Sequence, residues 1–126
     1  MVKAKPKPKN CFTGTWHIVS MSAWDEDYLN EEVQAFIEFE PKNSGSFQFG
    51  YVQGEIDYRT TSRDGKPAVE FSWEGADGAD GTPLLGRGWA TFDGDELSGT
   101  IFFHFGDDSD FVAERADEKK RARKKR

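Results

Sequence analysis

Few residue types in this 126-residue chain could do chemistry. It has two histidines, His17 and His104, one cysteine, Cys11, and 23 acids. Zinc sites draw three or four ligands from Cys, His and carboxylate side chains, and two histidines with one cysteine are a thin supply. A calcium loop of the EF-hand type needs glycine at its sixth position and glutamate at its twelfth. Counted from Asp25, those places hold Asn30 and Phe36. The stretches "GADGADG" and "GDDSD" offer Asp77, Asp80, Asp107, Asp108 and Asp110 as oxygen ligands. Asp and Gly are also what tight turns demand, and turn chemistry is the reading taken here. No metal and no cofactor is expected.

Nucleophilic catalysis is equally poorly served. Cys11 adjoins a run of lysine and proline, where nothing would hold a base against it. The chain has no Gly-x-Ser-x-Gly elbow, no His-Glu-x-x-His and no phosphate-cradling loop. It also lacks the Asp-Thr-Gly and Asp-Ser-Gly strings of aspartic proteases. Two of its many carboxylates meeting in a cavity would still make a hydrolase, and this stays as an alternative. Alternation places His104 and His17 outside or near a rim. Arg63 and Lys66 flank an Asp-Gly turn. Arg87 is the one base on its strand, placed to pair with neighbouring carboxylates or to anchor an anionic ligand inside.

The formal net charge of −6 hides a segregation. Residues 1–10 hold four lysines and no acid, and residues 114–126 hold eight Lys/Arg and three acids. Between them, residues 11–113 carry 5 bases and 20 acids, a net of −15. The segment "KKRARKKR" could contact nucleic acid weakly and without sequence preference, or fold back on the acidic body. It has none of the interleaved aromatics that favour specific single-strand binding. No apolar run suits a signal peptide or a membrane span, and a lone cysteine makes no internal disulfide. A cytoplasmic location is the expectation.

The dominant apolar period in the body is two. Strands are expected at 12–21, 35–40, 46–52, 54–61, 67–74, 85–92, 97–105 and 110–115. The turn sequences "KNSGS", "RDGK" and "DGDE" separate them, and 75–83 reads as a longer polar loop. The acidic segment 23–34 suits a short helix capped by Asp25, lying over one barrel end as a plug or as a lid. Short antiparallel strands with local connections solve their edge problem by closing. The expected fold is all-β: a small antiparallel up-and-down barrel of about eight strands, with one short helix after the first. The domain spans 11–115, between a Lys/Pro tail (1–10) and a basic tail (116–126).

Gly14-Thr15-Trp16 on the first strand resembles the Gly-x-Trp signature of the calycin group, which comprises lipocalins, fatty-acid-binding proteins and avidins. Thr13-Gly14-Thr15-Trp16 is also similar to the opening string of avidin-like proteins. The resemblance implies a barrel floor made by Gly14 and Trp16, with Arg115 packed across the indole. Residues 86–111 resemble a group of small prokaryotic barrel proteins, a likeness that implies no activity.

The expected function is a non-catalytic binding module for a small apolar ligand or a protein partner. Trp16, Phe49, Tyr58, Trp73, Trp89 and Phe103 are the candidate lining. The alternatives are a charge-driven interaction protein whose basic tails contact nucleic acid or an anionic surface, and the carboxylate-pair hydrolase in the barrel mouth.

Overall fold

The computed structural model describes residues 11–116. Residues 1–10 and 117–126 lie outside them, and with these segments the expectations placed on the basic tails. Eight strands follow in chain order: β1 (Gly14–Met21), β2 (Phe36–Phe39), β3 (Ser44–Phe49), β4 (Val52–Arg63), β5 (Lys66–Asp77), β6 (Thr82–Asp93), β7 (Glu96–Phe103) and β8 (Asp108–Arg115). Each pairs antiparallel with the next, and β8 returns to β1, closing the barrel. Closure leaves no sheet edge exposed. The sequence expectation of an up-and-down all-β barrel is met.

The turns form for local reasons. Asp64 and Gly65 both take positive φ, 52° and 81°, as the tightest hairpins require. Residues 75–83 are not a long loop. Strand β5 runs on to Asp77, and β6 begins at Thr82. The Asp77 carboxylate accepts from the Ala79 amide at 2.9 Å, and Asp80 accepts from the Thr82 amide at 3.0 Å. The Gly81 amide donates to the Asp77 carbonyl at 2.7 Å. These bonds pull an acidic, glycine-rich stretch into a compact turn, so β5 and β6 are longer than their apolar alternation suggests.

The segment after β1 contributes one short helix, α1 (Glu26–Leu29). Asp25 caps it, its carboxylate accepting from the Tyr28 amide at 3.0 Å. Leu29 is fully buried, and its carbonyl accepts from the Gly50 amide at 2.8 Å. The Tyr28 ring lies so close over Gly50 that a side chain there would overlap it. Trp24, just before α1, meets the Phe49 ring at 5.0 Å and the Phe103 ring at 5.9 Å. This segment therefore plugs one end of the barrel.

The interior is packed from end to end with rings. Phe47 meets Trp73 at 5.0 Å, and Phe39 meets Tyr58 at 4.9 Å. At the end opposite α1, Phe12 and Phe92 join Trp16 and Phe39. Strand β7 stops at Phe103, which corrects the expected strand of 97–105 at its end. Phe105 turns out of the strand with φ 60° and is 98% exposed.

Candidate functional site

Five of the six candidate lining residues lie inside. Trp16, Phe49, Tyr58 and Trp73 are buried, and Phe103 packs half-buried against them. They touch one another: Trp73 contacts Phe103 at 5.2 Å, and Phe49 contacts Phe47 at 5.7 Å. The Tyr58 hydroxyl donates to the Glu40 carbonyl at 2.7 Å. Trp73 Nε1 is buried with no hydrogen-bond partner, and lies against Gly86.

Trp89 is the exception, and its placement in the lining is corrected. Residues directly opposed in an antiparallel pair share a face. Gly88 stands opposite Phe71 and Ile101, which point inward, while Trp89 stands opposite Glu70 and Thr100 on the outside. The inward positions in the middle of β6, Gly86, Gly88 and Ala90, are small because the neighbouring strands fill their space. A Cβ at Gly88 would come within 2.4 Å of the Phe71 ring. The large residues Leu85, Arg87 and Trp89 consequently face outward.

At the barrel floor, the Arg115 guanidinium lies 4.0 Å from the centre of the Trp16 ring. Its Nη1 donates to the Thr13 carbonyl at 3.0 Å and its Nη2 to the Cys11 carbonyl at 2.8 Å. Trp16 Nε1 donates to the Phe12 carbonyl at 3.0 Å. Gly14 has φ 123°, and a Cβ there would meet Arg115 Nη1 at 3.2 Å. The entering chain is thus tied to the end of β8 by one side chain. Burial raises the pKa of the Cys11 thiol, outweighing the lowering by a backbone hydrogen bond and by Arg115.

The outer face over β4–β7 holds a different arrangement. An open groove of about 470 Å³ runs across it. All three arginines of residues 11–113 border this groove: Arg59, Arg63 and Arg87. Arg59 is paired with Asp57. Arg63 lies over Trp89, 3.8 Å from the ring centre, and Arg87 lies over Phe102 at 4.9 Å. Among the described residues, neither Arg63 nor Arg87 has an ion-pair partner. The expectation that Arg87 pairs with strand carboxylates is corrected, since its neighbour across β7 is an aromatic ring. A second hollow of about 310 Å³ shares Arg87 and Phe102 and ends at His104 and the exposed Phe105.

Sequence reasoning noted Arg63 and Arg87 but missed that they converge on Trp89 and Phe102. The parity of β6 was the available signal. Gly86, Gly88 and Ala90 alternate with Leu85, Arg87 and Trp89, and small residues beside a strand bearing Phe71 and Trp73 mark the inner side.

Among the described residues, no group of three or more Cys, His, Asp or Glu gathers where it could hold a metal ion. Glu55 and Glu74 oppose each other across β4 and β5, exposed on the outer face. No described helix is long and apolar enough to cross a membrane. No family model, no curated protein and no solved structure matches this chain.

Proposed function

We propose that this protein is a non-catalytic binding module of calycin-like architecture that receives its ligand or partner on the outside of the barrel, over β4–β7. The observation that carries this reading is the groove in which Arg63 rests on Trp89 and Arg87 on Phe102, neither paired with a carboxylate among the described residues. Aromatic and arginine side chains are the types that dominate binding energy at recognition surfaces. The packing of Phe47, Phe49, Trp73 and Phe103 against one another supports the outer face over the interior. The Trp16–Arg115 floor supports the calycin-like likeness, and the single cysteine a cytoplasmic location.

The test compares two probes by amide and indole NMR on the full chain. Phenyl phosphate should shift the Trp89 indole N–H and the β6–β7 amides in a saturable way. Oleate should leave the Trp16 and Trp73 indole signals unmoved. Saturable oleate binding that moves Trp73, with no response of Trp89 to phenyl phosphate, would overturn the proposal.

A further inference from the structure

Resting on that reading, we infer that the outer groove is a site for a nucleoside monophosphate, its phosphate held by Arg63 and Arg87 and its base stacked on an arginine-covered ring. A guanidinium lying flat on an aromatic ring keeps its edge N–H groups free. Those groups match the oxygens of a phosphate and can bind it two at a time. The Arg63 guanidinium lies 3.8 Å from the centre of the Trp89 ring, at stacking distance, and that of Arg87 lies 4.9 Å from the centre of the Phe102 ring. Trp89 and Arg87 are two residues apart on one strand, so their side chains leave the sheet roughly 7 Å from each other on the same side. Two unpaired guanidinium charges balance one phosphate dianion.

The outward plane of each guanidinium is itself a stacking surface. Nucleobases stack on arginine planes as they do on aromatic rings, so a base would extend the Trp89–Arg63 pile by one layer. The groove volume of about 470 Å³ lies within the few hundred to about 1,000 Å³ typical of small-molecule sites.

Charge favours the mononucleotide over a strand. The groove is bordered by Asp57 and Glu70, and residues 11–113 carry a net of −15. A polyanion running past the groove would meet a body of net negative charge, whereas strand binding depends on neutralising many phosphates. A single phosphate needs only the two arginines.

The experiment titrates the full chain with 5′-AMP, adenosine, inorganic phosphate and an octathymidylate, reading the Trp89 indole and the Arg63 and Arg87 Nε–H signals. AMP should saturate and move both sets. Adenosine should bind about tenfold or more weakly, as expected when a bidentate charged contact is lost, and phosphate should move the arginine signals alone. Arg63→Ala and Arg87→Ala should each weaken AMP about tenfold. Arg63→Lys should also weaken it, because an ammonium cannot stack as a plane. The Trp16 and Trp73 indole signals report that each variant is folded. An AMP response no stronger than that of phosphate would overturn the inference, and so would saturation by the octanucleotide with none by AMP. If phenyl phosphate moves Trp89 and AMP does not, the nucleotide assignment falls and the outer-face reading stands.

Discussion

Arg63 covers the ring of Trp89 at 3.8 Å although β5 runs between their strands. Arg63 is the last residue of β4, beside the Asp64-Gly65 turn, and its side chain reaches across to β6. Trp89 is half-buried, despite facing outward. Arg63→Ala should make Trp89 more accessible to acrylamide quenching while costing no more than about 1 kcal/mol in urea unfolding, the usual worth of an exposed cation–π contact. Unchanged quenching would show that the ring is shielded by something else.

The same pairing at the floor has a larger role, because Trp16 is fully buried and Arg115 also ties down two carbonyls. Arg115→Ala should destabilise the barrel by about 2–4 kcal/mol, combining lost charged hydrogen bonds with a lost ring contact. Arg115→Lys should recover only part of that, since one ammonium cannot reproduce the planar fork. Equilibrium unfolding of the two variants checks the order.

Gly88 is required for its size. Its missing side chain leaves room for the Phe71 ring, with the Thr100 carbonyl 2.8 Å from where a Cβ would sit. Gly88→Ala should cost about 1–3 kcal/mol by overpacking. Adding Phe71→Leu should recover part of that loss, giving a favourable coupling energy in a double-mutant cycle.

The Cys11 thiol should be sluggish toward iodoacetamide at neutral pH. Burial holds its pKa above the ordinary thiol value, and the reactive species is the thiolate. The alkylation rate should rise when the chain is unfolded in urea. Equal rates in the two states would contradict this.

Asp80 titrates in the opposite sense. The Thr82 amide, joined by the Thr82 hydroxyl, holds its carboxyl below the ordinary aspartate value. A lowered folded pKa means that its contribution is present above the unfolded value and fades as the pH falls through the folded one. The Thr82 amide signal should therefore move on acidification below the ordinary aspartate range. In Asp80→Ala that movement should vanish.

Much of the barrel was legible because period-two alternation and turn dipeptides are local signals. Asp64-Gly65 announces its hairpin, and Asp25 announces its helix. The errors arise where neighbouring strands decide. Trp89 is aromatic enough to suit a lining, but the inner side of β6 is claimed by Phe71 and Trp73, whose bulk demands Gly88 and Gly86 opposite. Strand-by-strand reading cannot weigh that competition for volume. Phe105 continued an alternation that the chain abandoned at a positive-φ residue. The groove needed a contact between residues 26 positions apart, Arg63 and Trp89, across an intervening strand.

Seven of the barrel's eight seams join strands adjacent in sequence, so each closes over a short stretch of chain. The eighth, β1 with β8, brings Trp16 opposite Arg115 and must close a loop on the order of 100 residues. Such a closure has a larger entropy cost and rewards the chain late. The β1–β8 seam is therefore where assembly should finish and where fluctuation should first reopen the wall. An open seam would bare two rows of unpaired backbone groups, the template on which chains add to one another. A register shift between Ile18 and Ser20 interrupts one of those rows, and Arg115 bolts the other to the entering chain. The floor residues thereby act as safeguards against self-association as well as structural filler.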